Sequence, residues 1–279
     1  MADPIIKWVG GKRQLLPVIE ALMPRHYGTY FEPFLGGGAV YLAVNPPKAV
    51  LNDCNPQLIG MYTAVRNTPE QVEAALRRYQ DTYNSGTSDR ERTGYYFALR
   101  DRFNAKIREH QNDPDMAALL IFLNKAGFNG LYRMSKAGRY NVPPAHKASV
   151  NAYSPDNLRA VSVMLKGAGL LCGDFESAVS SARAGDFVFF DSPYADTFDA
   201  YQAGGFSEAD HRRLASLFAD LTGRGVSCLL ANSNTALIRE LYQDYEIRTV
   251  PVKRMVNRNA SGRTGEEVII TNYRTGGGV

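Results

Sequence analysis

Short runs of β-branched and aromatic residues, each bounded by turn formers, alternate along this chain with stretches of helical periodicity. The runs fall at 30–34, 49–52, 169–172, 187–190, 226–231, 245–252 and 267–273, and helical patterns at 13–23, 39–44, 56–66, 207–221 and 235–242 separate most of them. A continuous apolar run of this length suits a strand buried on both faces, and strands that alternate with helices form a sheet covered by helices on either side. The pattern therefore predicts an α/β fold with a seven-stranded, mostly parallel sheet. The runs at 245–252 and 267–273 leave no room for a helix between them and should pair antiparallel. Between 56 and 166 the alternation stops. Helical stretches at 69–83, 90–109 and 114–125 lead to a hairpin pattern, 131–134 and 139–142 around a Ser-Lys-Ala-Gly turn. This division predicts one domain from 1–55 and 167–279, with 56–166 inserted as a second.

With 279 residues, 44% of them hydrophobic and 22% charged, the chain can bury a large core and is not a disordered or collagen-like sequence. Its longest apolar run, 116–123, has eight residues, where a membrane helix needs about 20. The first residues lack a signal-peptide pattern, and Cys54, Cys172 and Cys228 are widely spaced, so a cytoplasmic protein without disulfides is expected. His26, His110, His146 and His211 are equally scattered, and no metal site is expected. The net charge is only +4 but unevenly distributed. Residues 123–166 hold seven basic side chains against one acid, and 248–263 hold five against none. Two basic patches on a mildly acidic body suit a polyanion. In the first patch Phe128, Asn129, Tyr132, Tyr140 and Asn141 are interleaved with the charges, and stacking groups and amides of that kind favour nucleic acid.

Three motifs carry chemistry. Gly36 and Gly38 turn the chain from a predicted strand into a predicted helix, and Asp53 closes the next strand seventeen residues after Gly36. An acid so placed can accept hydrogen bonds from ribose hydroxyls, while Tyr41 stands where a dinucleotide fingerprint requires its third glycine. A nucleoside cofactor without a pyrophosphate fits better than NAD. Lys7-Trp-Val-Gly-Gly-Lys12 is a second glycine turn but not a P-loop; a free Lys12 would suit a ligand carboxylate, and Trp8 suits either core or ligand. The strand 187–190 runs into Asp191-Ser-Pro-Tyr194, which presents an acid, a carbonyl and an aromatic ring in succession.

Taken together the motifs resemble those of the Dam-type (D12 class, alpha subgroup) S-adenosylmethionine-dependent DNA adenine methyltransferases. In the family's order they are Lys7-Trp-Val-Gly-Gly-Lys12, Glu32-Pro-Phe-Leu-Gly-Gly-Gly38, Asn52-Asp-Cys-Asn-Pro56, Asn129-Gly-Leu-Tyr-Arg133, Asn141-Val-Pro143, Gly173-Asp-Phe175 and Asp191-Ser-Pro-Tyr194. They extend over nearly the whole chain.

The resemblance implies a Rossmann-like methyltransferase domain, 1–55 with 167–279, that binds S-adenosyl-L-methionine, and a target-recognition domain, 56–166, that binds double-stranded DNA. It implies that Trp8, Lys12, Phe34, Gly36, Gly38, Asp53, Asp174, Phe175 and Asp191 form the cofactor site. Asp191, Ser192, Pro193 and Tyr194 would be catalytic, acting on an adenine rotated out of the duplex. Arg133 would read a guanine, Phe128 would stack on bases, Lys7 would reach a second guanine, and Asn129 and Pro143 would line the same surface. GATC is the implied target.

One position departs from the family: Ser192 stands where the tetrad usually has its first proline. Because Pro193 follows, Ser192 is still steered toward an extended backbone. An RNA adenine methyltransferase, a DNA-binding relative that has lost catalysis through Ser192, and a nicotinamide oxidoreductase remain the competing readings. For the stretch 248–263, which has no motif, contact with phosphates is expected.

Overall fold

The structure is a computed structural model that describes residues 2–10, 12, 14–195, 206–253 and 264–275. Its centre is one seven-stranded sheet: β1 (Tyr30–Glu32), β2 (Ala49–Asp53), β3 (Ala168–Cys172), β4 (Phe187–Phe190), β5 (Ser227–Ser233), β6 (Glu246–Lys253) and β7 (Thr264–Thr271), in the order β3-β2-β1-β4-β5-β7-β6. β1 to β5 pair in parallel, and β7 runs antiparallel to both β5 and β6. The expected antiparallel pair is therefore present, with its later member inserted between the earlier one and the rest of the sheet.

Side chains alternate between the two faces. Tyr30, Leu51, Phe187, Phe189, Leu229 and Ile269 join one buried cluster, and Phe31, Val188, Phe190, Cys228, Leu230 and Ile270 join another. The first cluster continues unbroken into the helices of the inserted segment. Those helices are α3 (Pro56–Asn67), α4 (Pro69–Ser85), α5 (Asp89–Arg108), α6 (Pro114–Ala126) and α7 (Pro155–Leu165). Ten positions of α6 are buried, because α3, α4 and α5 all pack against it. Several helix starts are written in the sequence: Asn55 accepts from the N–H groups of Gln57 and Leu58 with Pro56 following, and Asp113 accepts from Met116 ahead of Pro114.

The remaining helices, α1 (Leu16–Leu22), α2 (Ala39–Val44), α8 (Phe175–Ala178), α9 (Glu208–Gly223) and α10 (Ala236–Leu241), flank the sheet. Among the described residues no helix is long and apolar enough to cross a membrane.

Three expectations change. β1 stops at Glu32, two residues short of the run, and releases Pro33 and Phe34 into the following turn. α7 was not foreseen, although Ser154 caps it and Leu158, Val161 and Leu165 give it a buried stripe. The hairpin of the insertion contains a single bridge, Met134 to Tyr140, rather than a pair of strands. Its turn closes through Ser135 N–H to Arg139 O (2.8 Å) and Asn141 N–H to Arg133 O (3.1 Å). The outward backbone groups of Tyr140 are taken by the Asn104 carboxamide of α5 (2.7 and 3.0 Å), and Val142 O accepts from Tyr96 Oη (3.0 Å), so the ladder has nothing left to extend into.

Candidate active site and nucleic-acid interface

β1 and β4 lie side by side, yet the chain leaves β1 toward β2 and leaves β4 toward β5 on the other side. Ligands of open α/β sheets bind in the crevice at such a switch point, outside the carboxyl ends of the strands. The turn after β1 (33–38), Asp53 at the end of β2, the turn after β3 (173–175) and the tetrad after β4 all open there. Asn52 staples three of these segments: its buried Nδ2 donates to Pro33 O (2.9 Å) and Gly173 O (3.0 Å).

The Asp53 carboxylate accepts from Gly36 N–H (3.0 Å) and Asn55 N–H (2.9 Å), one on each oxygen. Burial raises its pKa and these two donors pull against the rise. Gly36 and Gly38 both have positive φ, +50° and +68°. A Cβ on Gly36 would come within 2.9 Å of Trp8 Cδ1, and one on Gly38 within 3.2 Å of Tyr62 Oη. Gly36 thus seats the Trp8 indole as well as shaping the turn. Phe34 stacks on Phe175 (5.4 Å between centroids), and Phe206 packs T-shaped on Phe34 and tilted against Phe175. Asp174 caps α8 through Glu176 N–H (2.9 Å) and pairs with Arg213 (3.1 Å), whose guanidinium lies 4.9 Å from the Phe175 ring.

In the tetrad, Asp191 Oδ1 lies 2.6 Å from Lys12 Nζ. That ammonium also donates to Gly10 O (2.7 Å) and sits 4.7 Å from the centroid of the Tyr194 ring. Lys12 is only 5% exposed, so the reading of it as free is corrected: the carboxylate and ring of the tetrad already hold it. Burial raises the pKa of Asp191, Lys12 opposes the rise, and Glu267 adds to it. Glu32 lies in the field of both residues. It is 2% exposed and accepts from Tyr30 Oη (2.7 Å), and the Tyr41 N–H in the open first turn of α2 also donates to it. Burial, reinforced by Asp191, lifts its pKa to about 8.

Ser192 is buried, and its Oγ accepts from Asn232 Nδ2 (3.1 Å) on β5. Tyr194 Oη donates to Glu267 Oε2 (2.7 Å) on β7. Sequence reasoning missed Glu32, Asn52, Asn232, Glu267 and Arg213 as parts of this site. Glu32 and Asn52 were inside recognised motifs, but nothing local marks the other three.

The second group of expected residues forms a separate surface. The buried Asn124 side chain accepts from Lys7 N–H (2.8 Å) and donates to Lys7 O (2.9 Å) and Gly130 O (2.7 Å), which lays Lys7 beside the turn Phe128–Gly130. A Cβ on Gly130 would come within 2.6 Å of Lys7 Cδ. Asn129 adopts φ 54°, Phe128 is 50% exposed, and Phe128 N–H donates to the carbonyl of the exposed Pro143 (2.9 Å). Arg133 stands on the hairpin leading from this turn, where its Nε donates to Asn141 Oδ1 (2.7 Å) and its Nη2 to Asn141 O (3.1 Å). Trp8 packs on Tyr132 at 5.2 Å and so links this surface to the glycine turn.

The broad basic patch is narrower than its charge count. Arg159 is paired with Asp156 (2.7 Å) and Glu73 (3.5 Å), and Arg139 lies 3.8 Å from Asp101. In the later stretch Arg248 is held by Glu246 (3.0 Å) and Thr275 (2.7 Å). The Lys253 side chain, Arg254, Arg258 and Arg263 lie outside the described residues. Among the described residues no three His, Cys, Asp or Glu side chains are grouped to hold a metal ion.

A mostly parallel seven-stranded sheet with one antiparallel strand, β7, set between β5 and β6, and with acid-tipped strands around its switch point, defines a methyltransferase-like α/β fold. Residues 8–256 match the family described as D12 class N6 adenine-specific DNA methyltransferase, and the chain belongs to that family. Its similarity to a type II methyltransferase, M1.LlaDCHI of Lactococcus lactis subsp. cremoris, is 37% identity over 97% of this chain and 95% of that one. The type II methyltransferase M.MjaIII of Methanocaldococcus jannaschii is 36% identical over 97% and 99% of the two chains. The DNA adenine methylase of Haemophilus influenzae is 30% identical over 96% and 92%. The protein is an adenine-specific DNA methyltransferase.

Proposed function

We propose that the enzyme methylates the exocyclic amine of adenine in duplex DNA at GATC, on a base extruded from the helix, with S-adenosyl-L-methionine as donor, and that it works in the cytoplasm. The observation that carries the reading is the Lys12–Asp191 pair at 2.6 Å beside the Tyr194 ring, at the switch point of the sheet. The donor set fits that cofactor. Asp53 and Asp174 offer acceptors for hydroxyl and amine groups, Phe34 and Phe175 offer an apolar wall for a base, and Trp8 lies on the glycine turn. When bound, the cofactor supplies a methyl group on a positively charged sulfur.

The chain's part is to make a poor nucleophile attack. Adenine's amine lone pair is delocalised into the ring, and acceptors on its two N–H groups draw that pair out while stabilising the positive charge that develops. Lys12 occupies Asp191 Oδ1, which leaves Oδ2 to accept one N–H, and the Ser192 carbonyl accepts the other. Pro193 steers Ser192 toward the extended backbone this needs. Tyr194, fixed at its hydroxyl by Glu267, stacks on the extruded ring. The proton leaves after methyl transfer, so no strong base is required.

We place the DNA-binding unit at 56–166, with Lys7 added from the N-terminal segment. Arg133 forks onto a guanine, Phe128 fills the stack, and Asn129 and Pro143 line the groove. Labelled methyl transfer to duplex DNA by the wild type and by Asp191→Ala tests the reading. Incorporation should be lost in the variant, and equal incorporation by both would overturn the role of Asp191.

A further inference from the structure

We infer that Asn232 is a positioning residue that holds the Asp191–Tyr194 turn in shape, in place of the rigidity that the family's first proline supplies at position 192. The inference rests on the reading of Asp191 and the Ser192 carbonyl as acceptors for the target amine. A proline locks its own φ, whereas a serine leaves that torsion free and adds an N–H. A loop that must present two acceptors to one nitrogen tolerates little such freedom, since misplacement by about 1 Å can slow a reaction about a hundredfold.

The missing constraint is supplied from the neighbouring strand. β4 and β5 pair in parallel up to Phe190↔Leu230, and continuing that register sets Asn232 opposite Ser192. Asn232 is fully buried. Its Oδ1 accepts from Ala195 N–H (3.1 Å), Ser233 N–H (2.8 Å) and Ser233 Oγ (3.2 Å). Two of these donors are backbone amides, so the carboxamide can face only one way, and its Nδ2 is directed at Ser192 Oγ, 3.1 Å away. One side chain thus grips residues 192 and 195, the two ends of a segment whose middle is Pro193 and Tyr194. The hydroxyl that makes this possible is absent from a proline. Serine at 192 and asparagine at 232 therefore act as a matched pair, with a hydrogen bond doing what the pyrrolidine ring does elsewhere.

Single-turnover methyl transfer to duplex DNA, with dissociation constants for S-adenosylmethionine and DNA measured separately, tests the pairing. Asn232→Ala should slow transfer by about ten- to a hundredfold, with either dissociation constant changed by less than about twofold, a shift well under 1 kcal/mol. Adding Ser192→Pro to Asn232→Ala should restore part of the lost rate. Unchanged transfer in Asn232→Ala, a loss explained by weaker cofactor or DNA binding, or no recovery with the proline would each overturn the inference. If Asn232→Ala does not fold, Ser192→Pro should transfer faster than Ser192→Ala, and the reverse order would overturn it. Asp191→Ala is assayed alongside. Wild-type transfer by that variant would refute the catalytic reading itself, whereas its inactivity combined with no proline rescue would refute only the role of Asn232.

Discussion

Replacing Glu32 by glutamine should change how stability depends on pH. In the native protein the carboxyl is buried between Tyr30, the first turn of α2 and the Lys12–Asp191 pair, and its pKa is raised from 4.5 to about 8. The folded chain therefore keeps this proton through a range in which the unfolded chain has released it. A raised pKa contributes stability that is fully present below the unfolded value and is lost as the pH climbs toward the folded one. Each pH unit inside that window removes up to about 1.4 kcal/mol, so the step from pH 5 to pH 7 should remove about 2–3 kcal/mol. Glutamine keeps the shape and the carbonyl that accepts from Tyr30 Oη but does not titrate. Asp53 and Asp191, whose pKa values are also raised, titrate in both proteins and cancel in the difference. Urea unfolding at pH 5, 6 and 7 should show Glu32→Gln gaining on the wild type by that amount, with an unchanged denaturant slope. Parallel losses in the two proteins would refute the argument.

Gly36→Ala should destabilise the fold by about 1–2 kcal/mol, because an L side chain at positive φ is strained and the new methyl meets the indole of Trp8. Trp8 is the only tryptophan, so its fluorescence should shift in the folded state, and unchanged emission with an unchanged unfolding midpoint would contradict the packing. Asn141→Ala removes the side-chain acceptor that holds Arg133 Nε and leaves Nη2 tethered only to the backbone carbonyl of residue 141. Discrimination between duplexes that differ only at the guanine proposed for Arg133 should fall by about 1 kcal/mol, within the range of one bidentate base contact. Equal rate ratios for the wild type and the variant would show that Asn141 does not orient it.

The sheet was legible because its strands are buried on both faces and so appear as unbroken runs such as Phe187–Phe190. The insertion of β7 between β5 and β6 was not, since pairing order depends on contacts that no short stretch encodes. The same division holds in the site. Lys12, Asp53 and Asp191 were marked by glycines, strand ends and a following proline. The burial of Lys12 against Asp191 was invisible, because 179 positions separate the two and only the folded sheet brings them together. Asn232 lies one residue past the predicted run 226–231 and Glu267 opens the run 267–273, and their roles come from register: Asn232 faces Val268, and Ser233 faces Glu267. α7 was lost for the opposite reason, since its cap and stripe are local but sit beside the proline-rich end of the hairpin.

The position of β7 also sets the order in which the enzyme can be completed as it is made. β7 is the later of the last two strands, yet β6 joins the sheet only through it. Until β7 emerges from the ribosome, β6 has no neighbour to pair with and the edge of β5 stays open, the state in which nascent sheets are most prone to mispair. The same strand carries Glu267, the acceptor for the Tyr194 hydroxyl. A growing chain can thus have Lys12, Asp53 and Asp191 in place and still lack the anchor of the Tyr194 ring, so the Asp191–Tyr194 turn is finished only when the last strand slots in beside β5, onto a sheet already built on one side.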